Sequence, residues 1–100
     1  MKVVWTEQAW ECLAQIESFI ARDDPEAASR LVDMLIDQAE SLVHHPDRGR
    51  RLPEIPGSGL RELLVGNYRI VYRRVSKAIE VLTVFEGHRL LRREELPERR

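Results

Sequence analysis

The sequence predicts an α+β domain of two layers, with an antiparallel helical hairpin packed on one face of a small, mainly antiparallel sheet. Apolar residues recur every three or four positions through residues 6–22 and 25–45, which indicates two amphipathic helices. Three later segments, about 60–65, 68–75 and 79–87, are rich in β-branched and aromatic residues, as strands are. With a short strand at the N-terminus, the expected order is β-α-α-β-β-β.

Composition restricts the class of protein. One hundred residues leave room for a single domain, 1–100, and the 43% hydrophobic and 33% charged content is that of a soluble globular chain. No apolar stretch is long enough to span a bilayer, and the N-terminus lacks the pattern of a signal peptide. The single cysteine, Cys12, excludes an intrachain disulfide and is expected to pack as a small helical residue. We therefore expect a cytoplasmic protein without a membrane partner.

Local signals fix the ends of the first elements. Lys2–Trp5 is β-rich, and Thr6 follows it as a candidate helix N-cap. Asp24 and Pro25 are suited to the N-cap and first residue of the second helix. Pro46 is expected to end that helix near residue 45, because the residue before a proline avoids helical geometry.

Two aromatic residues of the first helix, Trp10 and Phe19, widen its apolar stripe. We expect both in the core. The pair His44–His45 at the end of the second helix is expected to favour the helix dipole, and without a third ligand nearby it does not predict a metal site. Neither a metal nor a cofactor is expected.

Residues 46–59, "PDRGRRLPEIPGSG", are interrupted by proline and glycine, so no regular element is expected there. A loop of this length in a small domain is typical of a functional or mobile segment. Its Arg48, Arg50 and Arg51 are candidate binding residues. The charged tail, about 90–100, is expected to be either a frayed helix or a flexible end.

The strands around Gly66-Asn67 form a predicted hairpin with a type II′ turn. A two-residue turn pairs Val65 with Tyr68, Leu63 with Ile70 and Arg61 with Tyr72, which puts these side chains on the apolar face that should meet the helices. Arg61 on that face is expected either to snorkel or to pair structurally. The opposite face should be open or covered by a partner, and its candidate contact residues are Glu62, Leu64, Arg69, Val71 and Arg73.

Charge is distributed unevenly along the chain. Residues 1–47 hold three basic and ten acidic side chains (−7), whereas residues 48–100 hold thirteen basic and seven acidic ones (+6). Such an asymmetry either joins two complementary halves of one fold or marks a surface for a partner. The near-neutral total of −1 argues against a protein that coats itself with nucleic acid.

Several segments together resemble the RelE/ParE toxin superfamily of bacterial type II toxin–antitoxin systems, and most closely its ParE branch. They are "WTEQAWECLAQIESFIARDDPEAA" (5–28), "HPDRGRRLPEI" (45–55), "LRELLVGNYRIVYR" (60–73) and "IEVLTVFEGHRLL" (79–91). The resemblance implies a small poison neutralised by an antitoxin, which is typically encoded by the adjacent gene and lies over the toxin's open surface. It further implies inhibition of DNA gyrase for the ParE branch and mRNA cleavage in the ribosomal A site for the RelE branch. No direct DNA binding is expected of the toxin alone.

The residues favour the ParE branch. The RelE pattern implies lysines before the turn, and here Glu62 and Leu64 occupy those positions. Arg69 and Arg89 match its two arginines, but His88 is the only nearby group that titrates near neutrality. No catalytic residue is assigned; the alternative endonuclease would use Arg69, His88 and Arg89.

Two further alternatives remain. Arg69 and Arg89 are either partner-binding residues or sheet arginines that pair with Glu62 or Glu86. The chain is either an active toxin or an inert family member that only binds an antitoxin.

Overall fold

The computed structural model describes residues 1–87 and 91–97 and has the predicted α+β order. Its elements are β1 (Lys2–Trp5), α1 (Glu7–Ala21), α2 (Pro25–Glu40), β2 (Arg50–Arg51), β3 (Arg61–Val65), β4 (Tyr68–Val75) and β5 (Ala78–Glu86). The five strands form one sheet in the order β1-β5-β4-β3-β2. β1 runs parallel to β5, and the other neighbours are antiparallel. None of the helices in the described residues is long and apolar enough to cross a membrane.

The helix starts follow the predicted capping residues. Thr6 Oγ1 accepts a hydrogen bond from the Ala9 amide at 3.1 Å, and Asp24 Oδ1 accepts one from the Ala27 amide at 3.1 Å. α2 ends earlier than predicted, at Glu40, and continues as a 3₁₀ turn over Ser41–Val43. The Ser41 hydroxyl donates to the Gln38 carbonyl at 2.6 Å, so it satisfies a carbonyl that a longer α-helix would otherwise have used.

The first core lies between the helices and the sheet. The predicted pairs across the turn are observed, and they bring the apolar face of the hairpin against the helices. The turn also has the predicted type II′ geometry, since Gly66 has a φ of +57° whereas Asn67 does not have a positive φ. The buried residues of this core are Ala9, Leu13, Leu35, Ala39, Leu42, Leu63, Val65, Ile70, Tyr72, Ile79, Val81 and Val84.

Two aromatic residues that we expected in this core lie at the surface. Trp10 is 48% exposed and Phe19 is 67% exposed. Each is displaced around the helix from the buried stripe of Ala9 and Leu13, so neither side chain is buried between α1 and the sheet. Trp10 instead stacks on Trp5, with ring centroids 4.9 Å apart.

The expectation of an open second sheet face is wrong. A second core covers it, because the loop after β2 folds back over the sheet and the segment after β5 packs beside it. The segment 46–59, for which we expected no regular element, also contains β2. The buried residues of the second core are Leu52, Ile55, Leu60, Val71, Leu82, Phe85 and Leu91, with Leu96 packed against them.

The start of the loop is fixed to β4 by Tyr72. Its hydroxyl donates to the Pro46 carbonyl at 2.8 Å and accepts from the Gly49 amide at 2.9 Å. A Cβ at Gly49 would lie 2.6 Å from both the Tyr72 hydroxyl and the Glu62 carbonyl, so only glycine fits this close approach. Arg61 donates to the Gly49 carbonyl at 2.7 Å, which confirms its predicted structural pairing.

Candidate functional site

A buried ionic network lies on the second sheet face and consists of Arg50, Glu54, Glu62 and Arg69. Glu62 is at its centre, only 1% exposed, because β3 places it between β2 and β4. The Nε of Arg69 donates to Glu62 Oε1 at 2.5 Å. The Nε of Arg50 donates to the other oxygen, Oε2. Both oxygens of the buried carboxylate are thus paired with a cation.

Arg69 is held from its other side by the loop. Its Nη2 donates to Glu54 Oε1 at 2.6 Å, while Glu54 Oε2 accepts from the Leu91 amide at 3.2 Å. The guanidinium carbon also lies 4.8 Å from the centre of the Phe85 ring, in a cation–π contact. Arg69 is consequently only 5% exposed.

The electrostatics of the network are mutually reinforcing. The hydrogen bond from Arg69 lowers the pKa of Glu54 from 4.5 to about 2, against the opposing effect of burial. The hydrogen bond to Glu54 is the main reason that the pKa of Arg69 is raised. Two cations and two carboxylates balance, so the network is neutral as a whole. The buried Glu62 carboxylate would be costly to leave without a cationic partner.

Burial changes the status of three predicted contact residues. Glu62, Arg69 and Val71, which is 0% exposed, lie beneath the chain's own loop and C-terminal segment, so our expectation that they face solvent is wrong. Their role in binding a partner remains a prediction. Leu64 on the same face is 56% exposed and is therefore accessible as predicted.

Arg73 lies away from the ionic network. Its Nε donates to Glu80 Oε1 at 2.7 Å on the neighbouring strand. It lines a cleft of about 420 Å³ on the second sheet face. The other residues of this cleft are Ser58, Leu60, Leu82, Arg93, Glu94, Leu96 and Pro97.

The three loop arginines remain largely accessible. Arg48 is exposed and donates to Gln38 Oε1 at 3.0 Å. The Arg50 side chain is 60% exposed although its Nε contacts Glu62, and Arg51 is exposed beside it. His88 and Arg89, the remaining candidates, lie outside the described residues.

Sequence reasoning missed Glu54, which completes the ionic network. The signal was present in the loop, where Leu52 and Ile55 interrupt an otherwise polar, proline-rich segment. Apolar residues in a loop indicate that it packs on something, and a carboxylate among them is then close to the sheet. Within residues 1–87 and 91–97, no group of three His, Cys, Asp or Glu side chains is placed to hold a metal ion.

The fold and the covered sheet define a small α+β domain with two helices on a five-stranded sheet, and comparison with known proteins identifies its family. The family model described as "ParE toxin of type II toxin-antitoxin system, parDE" matches residues 3–91. The chain therefore belongs to the ParE toxin family, within the RelE/ParE superfamily.

Two curated relatives agree with this assignment. A Sinorhizobium fredii protein named "Putative toxin Y4kP" is 35% identical over 91 residues, covering 87% of this chain and 88% of the relative. "Toxin RelE2" of Caulobacter vibrioides is 33% identical over 90 residues, covering 89% and 98%.

Two solved structures share the fold. One, titled "Chromosomal ParDE TA system from P. aeruginosa", superposes with a TM-score of 0.73 at 24% identity, covering 86% of this chain and 95% of that one. The toxin–antitoxin complex RelBE2 of Mycobacterium tuberculosis gives a TM-score of 0.64 at 22% identity, covering 85% and 95%.

Proposed function

We propose that this chain is the toxin of a type II toxin–antitoxin pair, that it acts in the cytoplasm, and that an antitoxin encoded by the adjacent gene neutralises it. The family description supports the toxin role. The two similar structures are titled as a toxin–antitoxin system and a toxin–antitoxin complex, which supports an antitoxin as the binding partner.

We further propose that the toxin acts by binding a protein target, DNA gyrase, and not by cutting RNA. The target follows from the resemblance to the ParE branch. The main argument against RNA cleavage is the burial and ion pairing of Arg69. A cation that stabilises a phosphorane must reach the phosphate, but Arg69 is buried and already paired with Glu54 and Glu62.

The carboxylates add to this obstacle. A phosphate entering the ionic network would have to displace one of them and then lie close to both negative charges. At an effective dielectric constant near 20, two unit charges 4 Å apart interact by about 4 kcal/mol, so this repulsion is large compared with an ordinary hydrogen bond.

A ribosome-dependent mRNA endonuclease is the second candidate, because one similar curated protein is named "Toxin RelE2". This activity would use Arg69, His88 and Arg89. For such cleavage, the ribosome would have to rearrange the loop that contains Glu54 before Arg69 could contact RNA.

Two assays on the purified chain distinguish these functions. We expect inhibition of DNA gyrase supercoiling, and intact mRNA ends in a translation reaction. A variant with Glu26→Gln, at an exposed site on α2, should keep the wild-type activity and serves as the control. A-site cuts that disappear in Arg89→Ala would establish the endonuclease instead. Normal growth on expression without an antitoxin, together with two negative assays, would identify an inert antitoxin-binding protein.

A further inference from the structure

The sheet has an incomplete edge beside β3. β2 is only two residues long and pairs with Arg61 and Glu62. In the part of the chain that the structure describes, the rest of the strand, Leu63–Val65, is paired on one side only, by β4. On the β2 side, none of the described strands therefore pairs with Leu63–Val65.

The turn geometry determines which backbone groups face this edge. In a hairpin with a two-residue turn, the residues that flank the turn exchange both hydrogen bonds, and the pattern then alternates. Val65 and Leu63 consequently direct their amides and carbonyls toward β4. Glu62 and Leu64 direct theirs outward, where β2 pairs with Glu62 but no described residue pairs with Leu64.

The side chain of Leu64 is exposed at the same point. It is 56% exposed, in contrast to its buried neighbours Leu63 and Val65. Proteins usually protect such an edge with a proline, a charged residue or a bulge, and Leu63–Val65 contains none of these. Leu64 thus presents a backbone donor, a backbone acceptor and an apolar side chain together.

The surroundings of this edge carry positive charge. Arg48, Arg50 and Arg51 belong to β2 and the residues just before it, and all three are exposed. Asp47 is the acidic residue of the same segment and pairs with Arg61. Glu62 neutralises part of the charge of Arg50, but Arg48 and Arg51 have no carboxylate partner among residues 1–87 and 91–97. A partner segment with carboxylates is complementary to this charge.

We propose that an extended segment of the antitoxin, acidic with at least one apolar residue, adds a strand to the sheet at Leu64 beside β2. Backbone hydrogen bonds to Leu64 anchor the segment, an apolar side chain contacts the Leu64 side chain, and carboxylates contact Arg48 and Arg51. This inference rests on the proposed toxin function and specifies where its partner binds.

Amide hydrogen exchange at single-residue resolution tests the inference directly. The probe is the protein encoded by the adjoining reading frame, co-purified with this chain. We expect the Leu64 amide to exchange rapidly in the free toxin and roughly a hundredfold more slowly in the complex. The Leu63 and Val65 amides, already bonded to β4, should be protected in both states and act as internal references. A complex in which Leu64 keeps exchanging rapidly would overturn the inference.

Substitutions provide an independent test by affinity. Leu64→Pro removes the outward amide without removing a bond to β4, and we expect it to weaken antitoxin binding about tenfold or more. Leu64→Ala should have a smaller effect, because it keeps the backbone bonds. Met34→Ala, which truncates a similarly exposed residue on α2, should leave affinity unchanged. Thermal unfolding of each variant shows whether weaker binding results from a lost contact or from a destabilised fold. The hydrogen-exchange experiment uses the wild-type protein and does not depend on any variant.

The outcomes separate the two proposals. If no complex forms and expression is harmless, the toxin function and this site both fail. If a complex forms and suppresses toxicity, but Leu64→Pro binds as tightly as the wild type, only the site at Leu64 is wrong.

Discussion

Glu62 and Glu54 hold the Arg69 guanidinium from two sides, at 2.5 and 2.6 Å. At the scale of single residues, the Arg69 side chain is buried in these ion pairs, so its main contribution is to the stability of the fold and not to the contact with a partner. Reversing its charge would leave two buried carboxylates beside a third, so the chain would unfold before its binding could be measured. Tests of recognition therefore belong at exposed residues such as Leu64 and Arg51.

We predict that Glu54→Gln lowers the free energy of unfolding at pH 7 by about 1–3 kcal/mol, because the Arg69 guanidinium loses one charged acceptor. The pKa of Glu54 is lowered from 4.5 to about 2 on folding, so its stabilisation is complete above pH 4.5 and is lost as the pH falls toward 2. The difference between wild type and variant should shrink over the same range.

Denaturant unfolding at pH 7, 4 and 2.5 measures this difference. Glu26→Gln is the matched control, since the Glu26 side chain is 90% exposed and its ion pair with Arg30 should contribute little. A Glu54→Gln penalty that stayed constant down to pH 2.5 would show that the charge of Glu54 does not matter.

At the scale of elements, the link between α1 and α2 shows how few residues define a helical hairpin. Arg22 ends α1 and Asp24 already caps α2. The amides of Asp23 and Asp24 both donate to the Ile20 carbonyl, at 3.1 and 3.0 Å, which closes the end of the first helix. Such a short link forces the helices to lie antiparallel.

We predict that Asp24→Ala lowers the free energy of unfolding by about 1 kcal/mol, because the Ala27 amide loses its acceptor. Asp23→Ala is the control one residue away. It removes a negative charge next to the C-terminal end of α1, so it should be neutral or slightly stabilising. Equal losses from the two variants, measured by thermal or urea unfolding, would contradict the capping role.

At the scale of the whole molecule, the uneven distribution of charge along the sequence gives the folded protein an acidic helical side and a basic side at the strands and loop. Among the exposed charged side chains of α1 and α2, all but Arg30 are acidic, whereas most of the other arginines cluster on the strands and on the loop beside β2. The two layers do not neutralise each other, apart from local pairs. An acidic partner is therefore attracted to one side of the molecule and repelled from the other, which orients its approach.

We predict that Arg51→Glu slows association with the antitoxin about three- to tenfold at low salt, because it weakens this attraction at the proposed contact edge. Lys77→Glu makes the same change of charge in the distant turn between β4 and β5 and should have a smaller effect. Stopped-flow association at increasing salt measures both, and the effect of Arg51→Glu should fade as salt screens the charges. Equal slowing by the two variants would argue for net charge alone.

The elements with local signals were predictable from the sequence. Capping at Thr6 and Asp24 depends on neighbouring residues, and the face of each strand depends on alternation from the Gly66-Asn67 turn. Features that depend on tertiary placement were not. Trp10 and Phe19 are hydrophobic, but their position around α1 keeps them out of the buried core. Likewise, the apolar residues of the loop indicate that it packs on the protein, but they do not indicate that it folds over Arg69 and brings Glu54 to it.

The pairing of β1 with β5 has a consequence for how the protein is made. Thr6 Oγ1 donates to the Leu82 carbonyl, 76 residues later in the chain, and β1 joins the sheet only through β5. The helical hairpin consists of local contacts and can form during synthesis. β1, in contrast, can pair only after β5 has been synthesised. The sheet can therefore be completed only at that stage, well after the helical hairpin is able to form.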